Sequence, residues 1–464
     1  MYAAQPFLAG SRILKQRRYR VLLLAEVANP DMVSVPLVAW SIAAALAKVA
    51  DVHLVTHVRN RDAIAARGWQ EGRDFTIIDT EWLVRGIFRT ARLLGAGEER
   101  GWTIFQALAP LGCLAFERAT WARFAGALRA GDYDLVHRLT PMSPTTPSIL
   151  GPRLKAVGVP LVVGPLNGGL PWPPGFAERM HREREGLSRL RGLHRLLPGY
   201  RATRRDAAAF LAGSRHTLGE IPRYARPQSV YLPENGIDPT RFGKSRVRRA
   251  QAPLRGAFVG RLVPYKCADL LIRAAADLIR AGKLTLDIIG DGPDRAMLNA
   301  LVADLGLDHG VTLHGTVAHA RVQDLLVDCD FLACPSIREF GGGVVLEAMA
   351  LGVAPIVADY GGPTELVDDD TGIRVPFSGP DDLVAGLRAT LEALVRDPTR
   401  LDRIGTAAAA RVAALFTWDR KAEQLLRVYD WVQAQGPRPD LLITPPADAP
   451  APAEPAAPAA AMQG

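Results

Sequence analysis

Short apolar runs of up to six residues recur along the chain, separated by stretches in which apolar positions return every three or four residues. In the first half the runs fall at 20–25, 51–56, 75–78, 135–136, 161–163, 210–212 and 230–232. They are rich in Val, Leu and Ile and do not alternate with polar residues, as expected of parallel strands buried on both faces. Helical spacing fills the gaps, for example at 37–49 and 114–128. The pattern restarts after Gly236-Ile237-Asp238-Pro239 and a basic stretch, with runs at 256–259, 286–289, 311–313, 331–333 and 355–357 and helices at 268–281, 294–305, 344–351 and 381–394. This alternation predicts α/β architecture with two doubly wound parallel sheets, each a Rossmann-like α/β/α unit. The expected units are 1–240 and 250–415, followed by an amphipathic helix at 416–435 that returns to the first unit. Two such sheets facing one another leave a central cleft at the carboxyl ends of their strands, where ligands bind.

Composition narrows the picture. A length of 464 residues and a hydrophobic fraction of 48% suit two globular domains. Residues 436–464 are rich in Pro and Ala and are expected to be disordered. The four cysteines show no paired metal-ligand spacing, so reduced thiols in a cytoplasm are expected and a metal site is not. The first residues show no long apolar run, so no leader is expected, and the longest apolar stretch, at 33–47, is too short to span a bilayer.

The net charge of +8 is uneven: residues 1–240 hold 32 basic and 20 acidic residues, or +12, which leaves −4 for the rest. Part of the excess lies in 179–205, which carries nine arginines among Leu187, Leu190, Leu193, Leu196 and Leu197. It reads either as a solvated helix packed through its leucines or as a basic amphipathic helix in peripheral contact with an anionic membrane. No nucleic-acid-reading module is present, so nucleic acid is not an expected partner.

The chemistry concentrates in Ser336-Ile337-Arg338-Glu339-Phe340-Gly341-Gly342-Gly343-Val344-Val345-Leu346-Glu347. Three glycines between an expected strand and an expected helix let backbone amides approach a ligand, and the positive helix end favours an anion. Glu339 precedes this cradle and Glu347 lies about one turn inside the helix. A phosphate flanked by two carboxylates suits a ligand carrying both a diphosphate and hydroxyls. The glycines would equally permit tight packing. Arg261 and Lys266, in Gly260-Arg261-Leu262-Val263-Pro264-Tyr265-Lys266, leave the first strand of the second unit at the same strand edge. Together with the cradle they form a candidate metal-free diphosphate clamp. The acidic run Asp368–Asp370 reads as a solvated turn, and Glu365 as support for a helix start.

These elements resemble family 4 glycosyltransferases of the GT-B fold. The marks are Glu339 and Glu347 at their spacing, the run EAMALGVAPIVADYGGPTELV, GRLVPYK, IIGDGP, LHG at 313–315 and ENGID at 234–238. The resemblance implies a retaining, metal-independent transferase that moves a sugar from a nucleotide-sugar donor to a glycan or lipid-linked acceptor in bacterial surface-polysaccharide assembly. It needs no separate cofactor, and its place would be the cytoplasm or the inner face of the plasma membrane. Glu347 would hold the ribose diol and Glu339 the donor-sugar hydroxyls. Amides around Phe340, Gly341, Gly342, Gly343 and Val344 would bind sugar and diphosphate, with Arg261 and Lys266 neutralising the leaving group. Gly290 and the neighbourhood of His314 would line the base pocket. His137, at a strand end of the first unit, would reach the cleft near the donor sugar, or else serve the core. Many relatives carry a Gly-Gly loop after the first strand, where this chain has Glu26-Val27-Ala28-Asn29-Pro30-Asp31. Asn29 and the later loop Asn167-Gly168-Gly169 are therefore the expected acceptor-side residues. A nucleotide-sugar epimerase, a phosphorylase and a non-catalytic nucleotide-sugar-binding protein are the rival readings.

Overall fold

The computed structural model describes residues 18–82, 98–183, 195, 197, 199–246, 250–434 and 436–441. The leucines 187, 190, 193 and 196 of the basic segment and most of the Pro/Ala-rich tail lie outside the described residues.

Two parallel sheets organise the chain. The first contains β1 (Arg20–Ala25), β2 (Asp51–His57), β3 (Phe75–Ile78), β4 (Leu135–Arg138), β5 (Leu161–Leu166), β6 (Ala209–Ala212) and β7 (Ser229–Tyr231), in the order β3-β2-β1-β4-β5-β6-β7. The second contains β8 (Leu254–Val259), β9 (Leu284–Ile289), β10 (Val311–Gly315), β11 (Phe331–Cys334), β12 (Ala354–Ala358) and β13 (Ile373–Val375), in the order β10-β9-β8-β11-β12-β13. Central strands such as β4, β5, β6, β11 and β12 are buried along their whole length, which explains their unbroken apolar runs. Each sheet therefore has cores on both faces, as the expected α/β architecture requires.

The strand orders locate the chemistry. In each sheet the direction of winding reverses beside the first strand, between β1 and β4 and between β8 and β11. Loops leaving adjacent strands at such a switch point diverge and open a crevice. The loops after β8 and β11, which carry Lys266 and Glu339, are brought together there.

The units are joined by more than the linker. The segment Ile237–Asp238 runs beside Thr417–Trp418: Ile237 N–H donates to Phe416 O at 2.7 Å, and Trp418 N–H donates to Ile237 O at 3.1 Å. The helix Trp418–Val432 then buries Ala422, Leu425, Val428 and Tyr429 in the core of the first sheet. In the other direction, Phe176 follows β5 in sequence yet sits in the core of the second sheet. Arg179 holds it there with a bidentate pair to Asp269 at 2.7 and 2.9 Å. Arg182 pairs with Asp294 at 2.5 Å. Two arginines of the basic segment are thus committed to contacts inside the protein. The helix Thr399–Leu415 and strand β13 carry no sequence expectation. The helix buries Leu401, Ile404, Ala408, Val412 and Leu415, a 3.6-residue stripe diluted by alanines. Among the described residues, no helix is long and apolar enough to cross a membrane.

Lys421 is a consequence of this return. Its ammonium is buried and donates to Pro233 O at 2.7 Å. Burial pushes its pKa down to about 7, partly opposed by the nearby Glu234 carboxylate. The unfolded chain binds more protons at this site between pH 7 and 10.5, so stability should rise with pH across that window. Denaturant titrations of wild type and Lys421→Met should show this rise in the wild type and its loss in the variant; parallel curves would refute the assignment.

Candidate functional site

A cavity of about 850 Å³ opens between the two sheets. Its floor on the second-domain side is the glycine cradle. Gly342 caps the helix Gly343–Ala350 from the left-handed region, at φ 58°, where glycine carries no steric penalty. A Cβ on Gly341 would run into the side chains of Glu234 and Asn235 from the interdomain segment, so only glycine lets that segment close on the cradle. Gly341, Gly342 and Gly343 at this helix start are in the cavity lining, and the first amides of a helix favour an anion.

Glu347 lines the same cavity one turn into the helix, and a contact between its carboxylate and a histidine nitrogen fixes it. Its Oε1 lies 2.7 Å from His319 Nε2, while Arg241 Nη2 lies 2.8 Å from His319 Nδ1. Arginine can only donate, so Nδ1 accepts and Nε2 carries the proton given to Glu347. Phe242 packs edge-on against the imidazole at 5.6 Å. Arg241 belongs to the interdomain linker, so the linker, His319 and Glu347 form one chain of contacts. His319→Ala should weaken nucleotide binding about tenfold, the order expected for a hydrogen bond to a charged group. His319→Gln, which keeps a donor, should recover part of it. Equal affinities in calorimetric titration would contradict this positioning role.

Lys266 closes the turn Pro264–Lys266 after β8, and its ammonium pairs with the Glu339 carboxylate. Burial works against the ammonium, but Glu339 outweighs it and holds the lysine above its usual pKa. Without ligand, the cation expected for the diphosphate and the carboxylate expected for the sugar therefore neutralise each other. Arg261 differs. It is exposed and has no acidic partner among the described residues, and neither cation is itself in the cavity lining. The turn Pro264–Lys266 sets Lys266 against Glu339, which borders the cavity, and leaves Arg261 exposed.

Glu234, to which the sequence reading gave no role, lies in the cavity wall. Asn167 Nδ2, from the loop after β5 of the same domain, donates to its carboxylate. Burial pushes its pKa up to about 7, with Asn167 opposing and Glu339 adding to the rise. Glu365 does more than support its helix. It accepts from Arg215 N–H at 2.8 Å and from the Tyr231 hydroxyl at 2.6 Å, which ties the second domain to the first.

Several expected residues occupy other places. His137 lies within β4 and is fully buried: Nδ1 meets the Tyr429 hydroxyl at 2.7 Å and Nε2 meets Gly164 O at 2.8 Å. Burial lowers its pKa to about 4. It is a core histidine that seats the returning helix, not a cleft residue. Asn29 is also buried; its Oδ1 accepts from Asp31 N–H at 2.9 Å, shaping the loop whose neighbours Pro30 and Asp31 reach the cavity. Asn167 and Gly168 line the cavity, whereas Gly169 faces a separate one behind it. Phe340, Gly341, Gly342 and Gly343 are in the lining and Val344 packs beneath, beside the core of the second domain. Gly290 donates its N–H to Gly315 O at 2.9 Å, outside the cavity lining. His314 turns away to Asp287, 2.6 Å from its carboxylate. Only the ENGID motif signalled Glu234 in advance. Nothing in the local sequence signalled His319 or Arg241.

Comparison with known proteins agrees with this geometry. Residues 248–410 match the family described as Glycosyl transferases group 1. Similar curated proteins include the D-inositol 3-phosphate glycosyltransferase of Salinispora arenicola, 35% identical over 266 residues, covering 52% of this chain and 58% of that protein. The protein of the same name from Kineococcus radiotolerans is 34% identical over 233 residues, covering 44% and 52%. The chain thus spans about half the length of the curated relatives it matches. Among solved structures, sucrose-phosphate synthase from Thermosynechococcus elongatus superposes with a TM-score of 0.58 at 18% identity, covering 90% of this chain and 100% of that one. Anabaena HepE in complex with UDP gives 0.55 at 16% identity, covering 88% and 98%. The two facing α/β domains have the GT-B fold of these structures, and residues 248–410 are similar to the group 1 glycosyltransferases.

Proposed function

We propose that this protein is a retaining, metal-independent glycosyltransferase that moves a sugar from a nucleotide-sugar to a glycan or lipid-linked acceptor. The observation that carries the reading is the glycine cradle at a helix start, set between Glu339 and Glu347 and facing the first domain across the cavity.

In this reading the diphosphate lies on the amides of Gly341–Gly343, and Glu347, held by His319, takes the ribose diol. Arrival of the donor separates Lys266 from Glu339: the ammonium turns to the diphosphate and the carboxylate to the sugar hydroxyls. The bond between the anomeric carbon and the diphosphate oxygen breaks as the acceptor oxygen attacks the same face. The departing phosphate takes the acceptor proton. A preorganised ammonium and helix amides can stabilise the leaving charge without reorganisation. Asn167 and Gly168 of the first domain would shape the acceptor side.

The relatives named for D-inositol 3-phosphate and the HepE complex with UDP support a nucleotide donor and a hydroxyl acceptor, but do not choose among bases or sugars. Bacterial surface-polysaccharide assembly at the inner face of the plasma membrane is the proposed setting. A panel of nucleotide-sugars, scored by thermal stabilisation and nucleotide release, tests the reading. At least one donor should stabilise the protein and release its nucleotide in the presence of an acceptor. Binding of none by a folded protein would overturn it.

A further inference from the structure

Behind the main cleft lies a second cavity of about 500 Å³. The two share walls. Gly168 faces the cleft and Gly169 the second cavity, while Arg338 faces the second cavity and Glu339 and Phe340 face the cleft. Among the described residues, Arg195, Arg204 and Arg338 line this space together with one acidic side chain, Glu220.

Arg204 is the anomaly. It is only 5% exposed, yet it has no carboxylate partner among the described residues. Its guanidinium donates to Pro144 O and stacks 3.7 Å over the Tyr200 ring. Buried arginines are ordinarily neutralised by an acid. The nearest comparison is in the same domain: Arg138 is buried against Glu117. Arg138 consumes that carboxylate and adds like charge near Arg204. Burial in turn holds Arg204 below the usual arginine pKa, with the tyrosine rings beside it opposing and Arg138 reinforcing the shift. Arg338 is held in place by its Nε, which donates to Leu170 O at 3.2 Å, and by its position over Trp172 and Phe340. Thr145 and Thr217 add hydroxyls to the lining. Several planar guanidinium forks converging on one cavity match the several oxygens of a phosphate better than the two of a carboxylate.

We propose that this cavity binds the phosphate group of an anionic acceptor, with Arg204 as its buried counter-charge. The inference rests on the transferase reading of the cleft. It adds that the acceptor carries a phosphomonoester or diphosphate, held one loop away from Glu339. A soluble sugar phosphate and a lipid diphosphate headgroup share this chemistry.

The test uses the full chain at constant ionic strength. Inorganic phosphate is titrated by calorimetry, with and without a saturating nucleoside diphosphate that occupies the main cleft. Saturable phosphate binding should persist when nucleotide is bound, and Arg204→Gln should weaken it at least tenfold without changing nucleotide affinity. Because Arg204 is buried, exposed Arg195→Gln serves as the second variant and should weaken phosphate several-fold in a protein of unchanged melting temperature. A hexose phosphate, and vesicles containing a polyprenyl diphosphate, are then competed against phosphate. Displacement by either one supports the proposal and identifies the source. Absence of saturable phosphate binding, unchanged binding in both variants, or displacement by neither competitor would overturn it. Failure of every nucleotide to bind would strike the cleft reading instead, and the nucleotide-free titration would still decide this site.

Discussion

Replacing Lys266 with alanine is expected to lower turnover about 10²–10³-fold while leaving the fold intact. The figure corresponds to about 2.7–4 kcal/mol, the cost of removing one preorganised donor from a developing negative charge. In the proposed reaction Lys266, paired with Glu339 at the cavity edge, is the side-chain cation that meets the leaving diphosphate. Its partner Glu339 borders the cavity, so water can reach that carboxylate once the lysine is gone. Nucleotide release measured at saturating donor, together with the melting temperature, checks both halves. An unchanged turnover would place the leaving-group stabilisation elsewhere.

The largest loss of stability is expected from Glu117→Ala, at about 3–5 kcal/mol, because it leaves a buried charge without its partner. Arg138 and Glu117 are 2% and 1% exposed, 3.4 Å apart. Glu117 also accepts from Ser148 Oγ at 3.0 Å and Ile149 N–H at 2.8 Å, so its removal strands two further donors. Arg138 ends β4 beside the crevice of the first sheet, and its Nε already has no partner. Chemical denaturation should show the drop. Glu117→Gln, which keeps the acceptor but not the charge, should lose less. A change below about 1 kcal/mol in the alanine variant would contradict the account, since that is the range of exposed pairs.

Much of the architecture was legible because buried parallel strands are continuous apolar runs, and twelve of them stand out against their polar flanks. β13 was not, because three residues with an exposed Arg374 at the centre give no run to read. The alanine-rich helix Thr399–Leu415 hid its stripe in small residues. In the site, the cradle announced itself because three successive glycines at a strand–helix junction have a physical purpose. His137 shows the opposite case: the sequence places it at a strand end, but only the returning helix, with Tyr429, determines that it is sealed in the core. Arg261 and Lys266 lie five residues apart on one loop, and only the turn Pro264–Lys266 sets one of them against Glu339. His319 and Arg241 carry no local signal, since the contact that joins them to Glu347 is made by tertiary folding. Glu234 was visible within a motif, but its meeting with Asn167 depends on how the loops after β5 and β7 come together in the first domain.

The central claim is that a nucleotide lies at the start of the helix Gly343–Ala350 with its ribose on Glu347. Calorimetry with a nucleoside diphosphate that binds the protein, and with its 2′-deoxy counterpart, tests it most directly. Wild type should prefer the ribonucleotide about tenfold or more, in line with a hydrogen bond to a charged group. Glu347→Ala should bind the ribonucleotide more weakly and treat the two alike. A wild-type protein indifferent to the 2′-hydroxyl, together with an undiminished affinity in Glu347→Ala, would contradict it.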